Sequence, residues 1–251
     1  MDSNYYKEYF ELERHHWWFV ARAAILRSQI ARLNPATRLK ILNVGAATGA
    51  TTDMLSAFGD VTSVEYDLHC CEFLRNELKM EVIHASVTEL PFANDSFDLV
   101  CAFDVVEHVE DDKEATRELR RVCKSQGLVM CTVPAFNFLW SDHDTVNHHV
   151  RRYTSKSFKS LFPHPETIVF SSYFNSLLFL PVSIFRLLTR VFKNKSKIIR
   201  QGSGSDFSIS IFNWVEPFFL RIFLIENTWL KRGIPAPIGI SYLLAWKKPS
   251  A

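Results

Sequence analysis

Three features of this 251-residue sequence predict an α/β fold, an open and mostly parallel sheet of seven strands whose last strand runs antiparallel. Short apolar runs alternate with helical stretches through the first half of the chain, the pattern of parallel strands covered by helices on both faces. The first of these runs enters a tight small-residue loop, Gly45 to Gly49, that opens a helix. The last two runs are separated by a long helical insertion, so they read as a hairpin closing one edge of the sheet with its final strand reversed.

The segment up to about Leu33 reads as helical, and Asn34-Pro35 ends it because proline disfavours helix at the residue before it. Strands are expected at Lys40–Val44, Val61–Glu65, Glu81–Ala85, Phe97–Ala102 and Gly127–Val133, with helices from about Ala50, from about His69 and from Asp112 to Cys123. Asp95-Ser96 and Gln126-Gly127 supply turns before the fourth and fifth strands. Residues 136–165 are rich in His, Arg, Trp and Phe, with little periodicity. Thr167–Tyr173 reads as a strand, residues 174–232 as a helical insertion broken by the polar loop Lys193–Ser208, and Ile238–Lys247 as the closing strand.

A formal net charge of only +2 argues against a general nucleic-acid binder. The five cysteines form no Cys-x-x-Cys pair and are odd in number, which suits reduced, buried thiols in a cytoplasmic protein. No basic region followed by an apolar stretch marks a secretory leader, and no run of eighteen uncharged apolar residues is long enough to span a bilayer.

The chemistry starts at the loop. A strand, a small-residue turn and a helix N-terminus together present backbone N–H groups to a ligand, and Glu65, at the end of the next strand, is placed to grip a ribose. The arrangement is Rossmann-like and suits a nucleoside-bearing cofactor. A doubly wound nicotinamide-binding sheet would continue in parallel units, whereas the reversed last strand favours a methyltransferase-type sheet.

Three further segments, Glu89 to Val100, Phe103 to Val109 and Leu119 to Gly127, follow the loop in a fixed order. With them the chain resembles the class I S-adenosylmethionine-dependent methyltransferases over most of its length. The resemblance implies that Gly45, Ala46, Ala47, Thr48 and Gly49 wrap the methionine part of the cofactor. It also implies that Glu65 holds the ribose, Tyr66 covers the adenine, Ser86 and Val87 flank the adenine amino group, and Phe103 lines the methionine end. S-adenosylhomocysteine would be the product. Three positions depart from the family pattern: Asn43 where an acid is common, Ala47 where a second glycine is typical, and Ser86 where an aspartate is usual. These departures keep open a degenerate cofactor-binding partner protein as the rival from outside the enzymes. The domain then divides into an N-terminal helical segment (1–34), a cofactor-binding half (35–135), an acceptor-binding cap (136–235) and a closing strand (236–251).

The acceptor half is expected after the fifth strand. There, Trp140 to Tyr153 resembles a His-Asp … His-x-Arg-Arg-Tyr signature of a bacterial methyltransferase subgroup associated with glycans, lipids and natural products. His143 is the candidate general base for O-methylation, oriented by Asp142 or Asp144, since imidazole titrates near neutral pH. His148, Arg151 and Arg152, with His149 beside them, would bind an anionic or sugar-like acceptor, and Tyr153 would cover the cofactor. N- or C-methylation is the enzymatic alternative. The N-terminal Glu13 to Phe19 segment resembles the same subgroup, and its Trp18 would wall the acceptor pocket. Asp104, Glu107 and His108 resemble a metal-assisting segment of ubiquinone-type O-methyltransferases. The reading preferred here is that Glu107 and His108 brace the loop without a metal.

Phe174 to Lys193 is apolar but interrupted by Arg186 and Arg190, and it leads into Lys193, Lys195, Lys197 and Arg200. It suits a helical cap packing on Trp214–Trp229, or peripheral membrane contact through 174–200 beside a lipid-linked acceptor.

Overall fold

The computed structural model describes residues 3–34, 38–192 and 216–250. Two helices open the chain, α1 (Ser3–His15) and α2 (Trp17–Leu33), where the sequence reads as one. They part at His16, which turns extended and accepts the Trp18 N–H on its Nδ1 at 3.3 Å, so the ring nitrogen acts as an N-cap.

The sheet follows: β1 (Leu39–Val44), β2 (Gly59–Glu65), β3 (Ile83–His84), β4 (Phe97–Phe103), β5 (Cys123–Pro134), β6 (Ile168–Phe174) and β7 (Ser241–Lys247). Their order is β3-β2-β1-β4-β5-β7-β6, with β7 antiparallel to both β5 and β6. The reversed last strand is as expected, but it sits inside the sheet and leaves β6 at the edge. β3 is shorter than the expected Glu81–Ala85. The Val82 carbonyl accepts a hydrogen bond from Arg75 at 2.6 Å, and its side chain is buried against Cys70 and Leu74.

Connecting helices cover both faces: α3 (Ala50–Ser56), α4 (Leu68–Asn76) and α5 (Asp112–Val122), then the short α6 (Asp142–Val146) and α7 (Ser155–Lys159). One face packs Leu119 and Val122 of α5 with Phe158, Tyr242 and Trp246. The other packs Ile25 and Ile30 of α2 with Met54, Leu55, Phe223 and Leu230. A smaller third core joins Tyr6 of α1 to Cys70, Phe73 and Leu74 of α4 beside the loop. All five cysteines are buried and unlinked, and burial pushes the Cys71 thiol up to about 11 and the Cys123 thiol up to about 12, so they are inert packing groups.

The insertion carries α8 (Phe179–Phe192) and α9 (Glu216–Leu230). The first was expected to pack on Trp214–Trp229; the main contacts of each helix among the described residues are with other elements. α9 lies along α2, with Trp17 against Phe219 at 5.4 Å and Ser28 Oγ donating to Asn227 Oδ1 at 2.6 Å. α8 instead meets the turn Asn137–Leu139, where Arg186 donates to the Leu139 carbonyl at 2.7 Å. The polar loop Lys193–Ser208, with its basic residues, and Trp214 lie outside the described residues, as does the side chain of Arg190.

Candidate active site

The parallel strands β1, β2 and β4 deliver their C-terminal ends to one edge of the sheet, and the residues of interest gather there. Gly45 leaves β1 with φ +79°, and a Cβ at that position would fall 2.5 Å from Val105 Cγ2. Only glycine meets both demands. Gly49 follows with φ +90° as the N-cap of α3. Between them Ala47 adopts φ +45°, a left-handed conformation that a second glycine would take without strain. Ala46 and Thr48 are buried.

The Glu65 carboxylate ties the edge together. One oxygen accepts the Ala47 N–H at 2.9 Å, and the other accepts those of Tyr66 and Asp67 at 2.8 and 3.0 Å. Tyr66 projects into solvent with 73% of its surface exposed, an open ring face beside the loop. Ser86 Oγ bonds Thr88 Oγ1 at 2.7 Å, and Val87 is buried behind it. Asn43 is fully buried and donates to Thr52 Oγ1 at 3.0 Å, so its side chain braces α3.

Two residues outside the sequence-stated cofactor set hold the loop from above. Glu13 of α1 accepts the Thr48 N–H at 3.1 Å and also the Thr48 hydroxyl. Arg14 donates to the Thr48 carbonyl at 3.2 Å and pairs with Asp53 at 2.7 Å. Burial pushes the Glu13 carboxyl up, against the opposing pull of Thr48, Arg22 and Arg14. The signal was present in the Glu13 to Phe19 segment, but nothing in it says which backbone the acid reaches.

At the end of β4 the Phe103 ring is buried, and Asp104 turns left-handed with φ +58°. Arg22 of α2 pairs with Asp104 at 2.5 Å, its guanidinium 5.5 Å from the Trp18 ring and 5.7 Å from the Phe103 ring. Trp18 and Phe103 are thus brought to one place. Arg22 was missed in the sequence, although it lies one helical turn after Trp18.

The acceptor segment behaves differently from its expectation. Arg152 is buried, with Nε and Nη2 on the two oxygens of Asp144 at 2.7 and 2.9 Å. Burial alone would raise the Asp144 carboxyl, but the bonds from His149 and Arg152 outweigh it and hold it well below the usual range. Arg151 donates to Asp112 at 2.7 Å, and the buried Tyr153 hydroxyl donates to the same oxygen at 2.8 Å. In the structure Arg151, Arg152 and Tyr153, expected to bind the acceptor and cover the cofactor, brace this segment through Asp112 and Asp144. His148 is exposed at φ +56°. His143 is half-buried on α6, its ring 5.8 Å from that of His149 and edge-on to it. His149 in turn bonds Asp144 through Nδ1 at 2.8 Å and meets the His108 ring at 4.7 Å. Glu107, beside His108, is fully buried, and neither of its oxygens has a hydrogen-bond partner.

Sheet order, loop and carboxylate define an α/β protein whose candidate site lies at the carboxyl edge of its strands. Residues 42–131 match the family model described as "Methyltransferase domain". Over 127 residues the chain is 30% identical to a Mycobacterium tuberculosis protein named "Probable S-adenosylmethionine-dependent methyltransferase", covering 49% of this chain and 45% of that one. Over 103 residues it is 33% identical to the demethylmenaquinone methyltransferase of Clavibacter sepedonicus, covering 39% and 42%. The chain thus spans less than half the length of these curated relatives. An S-adenosylmethionine-dependent methyltransferase of Archaeoglobus fulgidus superposes with a TM-score of 0.57 at 16% identity, covering 97% of this chain and 100% of that one. The cyclase SpnF shares the fold at a TM-score of 0.53 and 14% identity, covering 91% and 81%. The same sheet therefore serves more than one chemistry.

Proposed function

We propose that the chain is an S-adenosylmethionine-dependent methyltransferase that O-methylates a small-molecule or a lipid- or glycan-linked acceptor in the cytoplasm. The observation that carries the reading is the loop Gly45 to Gly49 with Glu65 on the Ala47 N–H, inside the matched segment 42–131. When bound, S-adenosylmethionine supplies an electrophilic methyl group on sulfonium. The residues fit such a group: Gly45 and Gly49 let the loop turn with left-handed backbone, and Tyr66 offers an exposed ring. Glu65 orients the ribose through its carboxylate, and Glu13 adds negative charge at Thr48 on the loop where Asn43 supplies none. Trp18 and Phe103 exclude water at the methyl end.

His143 takes the proton from the acceptor hydroxyl, and its neighbours His149 and Asp144 keep the α6 segment in place. The lipid-linked option is supported by α8, whose Leu180, Ile184, Phe185 and Leu188 are each about half exposed or more. None of the described helices is long and apolar enough to cross a membrane, so contact through 174–200 would be peripheral.

Calorimetric titration with S-adenosylhomocysteine tests the cofactor, and saturable binding below millimolar ligand is expected. Absence of heat at that concentration overturns the assignment. Turnover is tested with a methyl-labelled donor and a panel of phenolic, sugar and lipid-linked hydroxyl acceptors, with the labelled atom located in the product. His143→Gln is expected to keep the titration and lose about 10²–10⁴-fold in rate. Binding without turnover on any acceptor would favour the degenerate partner protein, the reading that Ala47 and Asn43 speak for.

A further inference from the structure

Glu107 is a carboxyl with 0% exposure whose two oxygens have no hydrogen-bond partner in the described structure. A buried acid is almost always hydrogen-bonded, paired or bound to a metal, because its desolvation otherwise stands uncompensated. The acid chain Asp104-x-x-Glu107-His108 does not supply the missing partner, since Asp104 is engaged by Arg22. His108 from its own turn and His149 from the segment after α6 face Glu107, and the ligand atoms of the three lie within 4.8 Å of one another. The Arg22 and Arg152 guanidiniums favour its charged form from nearby without bonding its oxygens.

We infer that Glu107, His108 and His149 form a binding site for one divalent first-row transition-metal ion, with zinc the expected occupant. Three arguments carry it. The donor set, two imidazoles and one carboxylate, is that of zinc sites with a position left open for water or a substrate oxygen. His149 is already oriented as a ligand: its Nδ1 is on Asp144 at 2.8 Å, which leaves Nε2 as the lone-pair nitrogen. Asp144 is itself clamped by Arg152, so the carboxylate–imidazole pair that tunes a metal-bound histidine is in place. Lastly, the ion satisfies the carboxyl that the protein leaves unsatisfied. Zinc bonds of about 2.0–2.1 Å bring tetrahedral ligands to roughly 3.3 Å from one another, so the side chains close by up to about 1.5 Å on binding. His108, at the rim, is the group free to make that movement.

The inference does not rest on methyl transfer, because its readout needs neither cofactor nor acceptor. The full chain, without a polyhistidine tag and stripped by chelator, is titrated with Co²⁺ and followed by the visible ligand-field bands of the bound ion. One equivalent per chain is expected, displaced by Zn²⁺. Glu107→Gln and His149→Gln should each weaken binding at least tenfold, and Asp144→Asn about 10–100-fold through His149. His164→Gln, at an exposed histidine elsewhere, should leave it unchanged. Because a histidine variant can fail to fold, the rise in melting temperature on adding Zn²⁺ is read in parallel, and it should be present in the native chain and absent in Glu107→Gln. No saturable band up to millimolar Co²⁺, or a band that survives both ligand variants, overturns the site and leaves Glu107 a neutral acid bonded to buried water.

Discussion

Arg152 and Asp144 are 2% and 0% exposed in their side chains, and the guanidinium lies across both carboxylate oxygens. Two charges this deep stabilise the segment only as a pair, and deleting one strands the other. Arg152→Met is therefore expected to lower the unfolding free energy by about 3–5 kcal/mol, read from the denaturant midpoint. If the variant instead keeps its midpoint and raises only the KM for acceptor, the arginine binds substrate and the bracing role fails. The contrast explains what could be read in advance. His-x-Arg-Arg-Tyr was legible as a cluster of polar groups in a segment without periodicity, and such clusters suit ligands. What the chain order hides is that Asp144 folds back eight residues to meet Arg152, and that Asp112, from α5, gathers both Arg151 and Tyr153. Those partners exist only after the segment has docked. Glu65, in contrast, was legible because its place at the end of β2 follows from strand order alone.

The break between α1 and α2 is a single ring nitrogen wide. His16 Nδ1 accepts the Trp18 N–H, so the cap requires a neutral imidazole. Burial lowers the His16 pKa to about 4 from the 6.5 of an exposed imidazole. Between those values the unfolded chain binds a proton that the folded chain refuses, so stability rises with pH across the window and is lost as pH falls from about 6.5 to about 4. The full shift would correspond to about 3 kcal/mol, and solvent around the part-exposed ring reduces it to roughly 1–2 kcal/mol. His16→Asn keeps an N-cap acceptor that does not titrate. Its unfolding free energy, measured from pH 4 to 7, should run flatter than that of the native chain by this amount. Parallel curves would show that His16 is solvated. Sequence could not reveal this boundary, because His15-His16-Trp17-Trp18 contains neither proline nor glycine, nor a serine, threonine or acid of the usual cap. The boundary matters beyond α2: it sets the angle at which α1 brings Glu13 down on Thr48.

The alternation of strands and helices and the reversed β7 were legible because alternation and loop length constrain topology strongly, while the place of β7 inside the sheet and the packing of the insertion were not. α9 and α8 have similar apolar content in sequence, yet α9 packs along α2 and buries Phe223 and Leu230, while α8 keeps a row of apolar side chains exposed. On α8, Leu180, Ile184, Leu187 and Leu188 repeat at helical spacing with exposures of 65%, 49%, 45% and 50%. The helix is fixed at its inner side by Arg186 on Leu139, and its first residue, Phe179, lies 5.8 Å from Phe136, which follows β5. Under the proposed function, an apolar face tied in this way to the turn after β5 would let a lipid-linked substrate enter without leaving the bilayer surface. The native chain is therefore expected to float with anionic phospholipid vesicles at low ionic strength. Ile184→Glu combined with Leu188→Glu should cut the floated fraction severalfold without changing S-adenosylhomocysteine affinity. Insertion of such a face is driven by apolar area, so raising salt should weaken vesicle binding less than the paired substitution does. If the native chain stays at the bottom of the gradient, the membrane route fails.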